Sequence, residues 1–249
     1  MNDRFSTLFC SQMPLLGMLH LKGENTEDIL SRAFREAEIM ISCGMDGVIV
    51  EDYFGATDEV GMVLSAFSQR HVTFPYGISL LDKTHETFAL ARKYGAAFVQ
   101  LDSVAGHLPV EEDKAFEESL QAERAAYSGA VLGGVRFKYT PYKSGRSLEE
   151  DLRLGMKRCD AICVTGDGTG QLTPTSKLDE FRKIVGDDFP LIVAAGVTPE
   201  SYPSQSRYVN GVIVGSYLKD TYKDTGEVDT EHVKKLVQAV RGSEANESN

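Results

Sequence analysis

Short apolar runs alternate with longer amphipathic stretches along the whole chain. The runs are apolar at consecutive positions rather than at every second one, as expected of parallel strands that are covered on both faces. We therefore predict eight parallel strands, over residues 15–21, 47–50, 75–81, 97–101, 133–139, 161–165, 191–195 and 211–215.

Each apolar run is followed by a stretch in which apolar side chains recur at helical spacing. In residues 29–43, for example, Ile29, Ala33 and Ala37 fall near one face of a helix. Gly44 follows at the position where a left-handed residue often closes a helix. The predicted helices cover residues 29–43, 59–69, 86–94, 112–127, 148–157, 177–185, 199–206 and 230–240.

A strand followed by a helix, eight times over, specifies a parallel sheet with right-handed crossovers. At 249 residues the chain has the size of a single closed (β/α)8, or TIM, barrel. The main alternative, an open doubly wound sheet, usually carries a G-x-G-x-x-G segment after an early strand, whereas residues 18–25 read MLHLKGEN. The prediction is an α/β fold with one TIM-barrel domain over residues 1–242 and a disordered polar tail over residues 243–249.

Composition and charge narrow the range of partners. A net charge of −11 argues against nucleic acid and against an anionic membrane surface, because both are bound through clustered Lys and Arg. No apolar run approaches the ~20 residues that span a bilayer, and residues 1–11 do not resemble a signal peptide. A cytoplasmic protein is expected.

Four cysteines are present, at Cys10, Cys43, Cys159 and Cys163. The last two lie four residues apart, but no second close pair accompanies them, so the spacing is a weak indication of zinc. Small buried thiols are the simpler interpretation. No metal and no cofactor is predicted.

Polar residues follow several predicted strands, at the end where TIM barrels carry their chemistry. The candidate catalytic residues are His20, Glu51, Asp102 and Lys138, after the first, second and fourth strands and on the fifth. An imidazole and a partly buried carboxylate can exchange protons, and a buried lysine can polarise a carbonyl or form an imine. Each residue also has a structural interpretation, as a turn residue or as the partner of an ion pair.

A second group of candidates points to phosphate binding. Glycines and small residues after the last strands let a backbone approach a phosphate closely and offer its N–H groups. Arg136 lies two residues from Lys138, so on a strand both would face the same side. The candidate substrate- and phosphate-binding residues are Arg136, Thr165, Asp167, Gly168, Thr169, Gly170, Ala195, Gly196, Gly215 and Ser216.

At these positions the chain resembles the BtpA/SgcQ family of barrels. The resemblance covers about residues 14–240 and includes Gly17-Met18-Leu19-His20, Gly196-Val197-Thr198-Pro199-Glu200 and Gly211-Val212-Ile213-Val214-Gly215-Ser216. It implies the barrel fold; its best-known member is associated with photosystem I assembly, and no firm reaction belongs to the family as a whole. Glu51-Asp52 stands where the family has Glu-Asn, Lys138-Tyr139 where it has Lys-His, and Ala194-Ala195-Gly196 where it has Gly-Ser-Gly. These differences suggest a divergent substrate or, in the extreme, a lost activity.

Three functions are compatible with these observations. The first is an enzyme that acts on a small phosphorylated metabolite, a sugar phosphate or phosphoribosyl compound, by isomerase or lyase chemistry. The second is a non-catalytic assembly or biogenesis factor of the BtpA type. The third is a metal-dependent hydrolase that uses His20, Glu51 and Asp102, although the repeated His ligands usual for such sites are missing. The sequence leaves the oligomeric state open, although barrels of this kind often pair, so a homo-oligomer is compatible with it.

Overall fold

Eight parallel strands close into one barrel in a computed structural model that describes residues 4–9 and 11–247, with side chains to residue 242. The strands pair in chain order and the eighth returns to the first, so the predicted TIM barrel is confirmed. They are β1 Leu15–Leu19, β2 Gly47–Glu51, β3 Tyr76–Ser79, β4 Phe98–Ala105, β5 Ala130–Val135, β6 Ala161–Val164, β7 Leu191–Val193 and β8 Gly211–Val214.

Helices cover the outside of the barrel. They are α1 Arg4–Leu8, α2 Thr26–Ser42, α3 Thr57–Gln69, α4 Thr84–Tyr94, α5 Val110–Ala125, α6 Leu148–Arg158, α7 Thr175–Val185, α8 Tyr202–Gln205 and α9 Thr230–Glu247. Several begin two or three residues earlier than predicted. Asn25 accepts a hydrogen bond from the amide of Asp28 at the start of α2. Gly44 has φ +102° at the end of that helix, as predicted.

The fifth strand differs from the prediction. It ends at Val135, four residues before the predicted end, because Arg136 and Tyr139 both adopt left-handed backbone conformations that cannot continue a strand. Lys138 therefore lies in the loop after β5. The neighbouring β4 is longer than predicted and carries Asp102 within the strand, next to a shift in its register with β5 between Leu101 and Ala105.

The bottom of the barrel is closed by a helix that the hydrophobic pattern did not reveal. Phe5 of α1 and the following Phe9 are buried, and the Phe9 ring packs edge-on against Phe98 of β4 with ring centroids 5.7 Å apart. Among the described residues, these rings fill the amino-terminal end of the barrel.

The remaining predictions about the chain concern its thiols and its tail. Cys43, Cys159 and Cys163 are free, and the last two are buried, while Cys10 lies outside the described residues. Burial raises the pKa of the Cys159 thiol to about 12. Helix α9 continues to Glu247, beyond the predicted end at residue 240, and residues 248–249 lie outside the description, so disorder of the tail stays a prediction. Among the described helices, none is long and apolar enough to cross a membrane.

Candidate active site

A cavity of about 320 Å³ opens at the carboxyl ends of the strands. Residues within or just after each of the eight strands line it. Of the predicted site residues the lining includes His20, Glu51, Asp102, Lys138, Thr169, Gly170, Ala195, Gly196, Gly215 and Ser216. The structure therefore brings the four candidate catalytic residues together with most of the small residues predicted to hold a phosphate.

His20 and Glu51 lie side by side, buried inside the site. The Nε2 atom of His20 lies 3.8 Å from a carboxyl oxygen of Glu51, and the two residues are 5% and 7% exposed. The other ring nitrogen, Nδ1, lies 3.3 Å from the carbonyl oxygen of Asp224. Burial, with the charge of Lys219, lowers the pKa of His20 to about 4, so the imidazole is neutral at neutral pH.

Two carboxyl groups of the site have raised pKa values. Burial, with the nearby charge of Asp102, raises the pKa of Glu51 to about 8. Burial also raises the pKa of Asp102, to about 6, although the Lys138 ammonium opposes the shift. Glu51 therefore holds a proton at pH 7 while Asp102 is mostly ionised. One carboxyl group that donates and one that accepts, in a single cavity, is the arrangement that general acid–base chemistry requires.

Lys138 is positioned by its own backbone. Its amide donates a 2.9 Å hydrogen bond to the hydroxyl of Thr165, which is fully buried just beyond β6. The carbonyl of Thr165 in turn accepts a 2.7 Å bond from the ammonium group of Lys177. Thr165 thus supports the loop that carries Lys138 and does not itself line the cavity.

The opposite wall consists of small residues after β6, β7 and β8. Gly196 has φ +65°, and a Cβ atom there would lie 2.1 Å from the carbonyl oxygen of Gln171, so only glycine fits. At Gly215 a Cβ atom would lie 3.0 Å from the imidazole of His20. A short 3-10 helix begins at Ser216, and the first amides of a helix have no partner within the helix. This wall therefore offers backbone rather than side-chain donors.

Four predicted ligand-binding residues lie outside the cavity lining, namely Arg136, Thr165, Asp167 and Gly168. Arg136 was expected to face the same side as Lys138, and that expectation is wrong because the strand has already ended. Its guanidinium group instead donates two 3.1 Å bonds to the fully buried carboxylate of Asp151 on α6. Arg136 anchors the base of the loop that carries Lys138.

The sequence reasoning missed several residues of the site. Gln100 of β4 and four tyrosines also line the cavity, namely Tyr53, Tyr139, Tyr217 and Tyr222. Gln100 is detectable in principle, since it is a polar side chain within an apolar strand, two residues before Asp102. No spacing rule marks the tyrosines, which lie beyond the ends of the strands.

A metal site does not emerge from this geometry. Within residues 4–9 and 11–247, no group of three or more His, Cys, Asp or Glu side chains is placed to hold one metal ion. His20, Glu51 and Asp102 share the cavity but do not form such a group. The metal-dependent hydrolase therefore has no ligand set among these residues.

Comparison with known proteins gives the family. The profile of the BtpA family matches residues 10–242. The chain belongs to the BtpA family. Its relatives include the photosystem I biogenesis protein BtpA of Synechocystis, 26% identical over 96% of this chain and 91% of that protein. An uncharacterized protein of Pyrococcus horikoshii is 28% identical over 92% of this chain and 96% of its own length.

Solved structures similar to this BtpA-family chain are TIM-barrel proteins. The native KDPGal structure has a TM-score of 0.67 at 14% identity, over 94% of this chain and 98% of that one. Phosphoribosyl anthranilate isomerase from Thermus thermophilus has a TM-score of 0.61 at 15% identity, over 93% of this chain and 100% of that one. At such low identity these similarities show the fold alone.

Proposed function

We propose that this chain is an enzyme that acts on a small phosphorylated metabolite, of the sugar phosphate or phosphoribosyl class, by isomerase or lyase chemistry. The observation that carries the proposal is the shared cavity. His20, Glu51, Asp102 and Lys138 line one part of it, and the small residues after β6, β7 and β8 line the rest. Ionisable groups with opposed pKa shifts inside one cavity are typical of catalytic sites.

Proton transfer is assigned to the carboxyl groups. Glu51 holds its proton at neutral pH and donates it to an oxygen that becomes negative during the reaction. Asp102, with the lower pKa, accepts a proton from the reacting carbon. His20 stays neutral and can donate or accept a hydrogen bond without bringing a charge.

Lys138 is the cation of the cavity lining, and it has two possible roles. It can polarise a carbonyl group of the substrate, or it can form an imine with that group. Borohydride reduction in the presence of substrate distinguishes them, because only the imine gives a stable adduct on Lys138. If Lys138 is unmodified after reduction, the imine is excluded and the polarising role remains.

The phosphate is assigned to the wall formed by Gly170, Ala195, Gly196, Gly215 and Ser216. Free backbone amides and a small hydroxyl suit phosphate oxygens without requiring an arginine. Two of the structurally similar barrels, phosphoribosyl anthranilate isomerase and orotidine 5′-phosphate decarboxylase, are named for phosphorylated substrates. This supports the proposal as an analogy of fold.

Solvent isotope exchange tests the catalytic part of the proposal. The protein is incubated in D2O with ribulose 5-phosphate and other phosphorylated carbonyl compounds, and carbon-bound deuterium is followed by NMR. We expect incorporation next to the carbonyl of at least one compound, and its loss in Glu51→Gln and Asp102→Asn. Glu38→Gln, an exposed position on α2, is the matched control. Incorporation that is unchanged in both site variants would contradict the assignment.

A second candidate, an assembly factor, is supported by one observation. The Synechocystis relative, which is similar over nearly its full length, is named as a photosystem I biogenesis protein. This candidate predicts that Glu51→Gln and Lys138→Ala complement a deletion of the gene as well as the wild type does. The enzyme proposal predicts that both variants fail to complement although they are folded.

A further inference from the structure

Three of the four tyrosines that line the cavity surround its entrance, and the fourth, Tyr217, packs against Tyr222 with ring centroids 5.7 Å apart. Tyr53 follows β2, Tyr139 lies in the loop after β5, and Tyr222 lies in the loop after β8. Tyr139 and Tyr222 are 73% and 55% exposed. The entrance therefore presents aromatic surface, whereas the interior presents carboxyl groups and a lysine.

Two of these tyrosines are held in backbone conformations that a bulky residue rarely adopts. Tyr139 has φ +61° and Tyr222 has φ +56°, both in the left-handed region. Such conformations cost free energy and persist where the surrounding structure enforces them, often at functional sites. The backbone strain thus lies at the two residues whose rings are exposed at the entrance.

Contacts hold the rings in these positions. The hydroxyl of Tyr139 accepts a 2.8 Å hydrogen bond from the amide of Thr169. The ring of Tyr222 is stacked on His232 of α9, with centroids 4.4 Å apart and planes 20° apart. The stack covers one face of the Tyr222 ring, and the exposed remainder borders the cavity.

Tyr53 connects the entrance to the chemical groups. Its ring lies 5.0 Å from the imidazole of His20, and its hydroxyl lies 3.5 Å from the hydroxyl of Thr169. Tyr53 and Tyr139 thus meet at Thr169, from loops on different sides of the barrel. Burial raises the pKa of Tyr53, the hydrogen bond with Thr169 opposes the rise, and the hydrogen bond and charge of Asp224 add to it, so a carboxylate lies close to this part of the entrance.

We propose that Tyr53, Tyr139 and Tyr222 bind a planar, uncharged ring of the substrate. The proposal rests on the proposed function and narrows it: the substrate is a phosphorylated compound that carries an aromatic or heteroaromatic ring, not a simple sugar phosphate. Tyrosine faces stack on planar rings, and such stacking is worth most for an aromatic base or ring. The carboxylate of Asp224 disfavours a ring that bears a negative charge.

Binding measurements with matched probes test this proposal. Calorimetry compares ribose 5-phosphate with adenosine 5′-monophosphate, uridine 5′-monophosphate and phenyl phosphate, and includes adenosine as a ring without phosphate. We expect at least one phosphorylated ring compound to bind about tenfold or more tightly than ribose 5-phosphate, the range that stacking gives.

The variants are chosen to remove a ring without adding strain. Tyr139→Gly and Tyr222→Gly suit the left-handed backbone and should abolish the preference for ring compounds while binding of ribose 5-phosphate is kept. Tyr139→Phe keeps the ring and should keep most of the preference. Val110→Ala, which shortens an exposed side chain outside the cavity lining, is the control and should behave as the wild type.

The outcomes separate this proposal from the proposed function. Equal binding of ribose 5-phosphate and every ring compound would overturn the ring site and leave the phosphate site standing. A second outcome is that adenosine binds as tightly as adenosine 5′-monophosphate and that Tyr139→Gly abolishes this binding. It would support the ring site and overturn the phosphate site. A preference for ring compounds that survives in both glycine variants would overturn the ring site and point to these exposed tyrosines as a surface for a protein partner.

Discussion

The raised pKa of Glu51 predicts a specific dependence of stability on pH. Its ordinary value is 4.5, and burial raises it to about 8 in the folded protein. Between these values the folded state holds a proton that the unfolded state has released, so the free energy of unfolding falls as the pH rises. Replacing Glu51 by Gln keeps the shape of the protonated group and removes the titration.

The contribution of Glu51 is best measured above pH 6.5. Below it the other two shifted groups contribute, because the pKa of His20 falls from 6.5 to about 4 and the pKa of Asp102 rises from 3.8 to about 6. The lowered pKa of His20 makes the free energy of unfolding fall as the pH falls, whereas the raised pKa values of Glu51 and Asp102 make it fall as the pH rises. Above pH 6.5 Glu51 acts alone among the three. A slope of about 1.4 kcal/mol per pH unit, over the roughly 1.5 units up to its folded pKa, amounts to about 2 kcal/mol.

Urea unfolding at pH 6.5 and at pH 9 measures this difference. We expect the free energy of unfolding of the wild type to fall by about 2 kcal/mol more than that of Glu51→Gln. Other titrating groups contribute to both proteins and cancel in the comparison. Glu38→Gln on α2 should follow the wild type. An identical fall in the wild type and in Glu51→Gln would refute the claim that Glu51 is protonated at neutral pH.

Three further substitutions test the structure. His71 has φ +50° where a glycine usually closes a helix, so His71→Gly should stabilise the protein by about 1 kcal/mol, seen as a rise in Tm of roughly 2–4 °C. Gly44 occupies the matching position after α2, and Gly44→Ala should lower Tm by a similar amount. A rise in Tm in Gly44→Ala, or a fall in His71→Gly, would contradict the assigned helix ends. Arg158 is fully buried and bonded to Asp113 at 2.8 and 3.0 Å. Arg158→Met should lower the free energy of unfolding, measured with urea, by about 3 kcal/mol. This lies near the lower end for a broken buried ion pair because Arg146 still contacts Asp113. An unchanged free energy would show that the pair adds no stability.

The fold could be predicted because it follows from a regular pattern. Continuous apolar runs and amphipathic stretches specify buried strands and covering helices whatever the details of the loops. The helix α1 was missed because it is too short to show helical periodicity, although Phe5 and Phe9 fill the base of the barrel. The end of β5 was misplaced because the left-handed turn at Arg136 has no marker such as glycine.

The site could be predicted only in part. His20 and Glu51 were accessible to reasoning because they directly follow apolar strands, where a TIM barrel places its chemistry. Tyr139 and Tyr222 were not, because their positions depend on contacts between residues that are distant in sequence. Tyr222 lies in a loop that Lys219 and Val228 close by an isolated antiparallel bridge, a pairing that no local pattern announces.

The most direct test of the central claim is calorimetric titration with ribose 5-phosphate and with ribose, using the wild type and Ser216→Asp. The variant places a carboxylate in the wall assigned to the phosphate, and Ser204→Asp, at an exposed position on α8, is its control. The account predicts binding of the phosphorylated sugar only, lost in Ser216→Asp and kept in Ser204→Asp. Equal affinity for both sugars, or binding that is unchanged in Ser216→Asp, would contradict it.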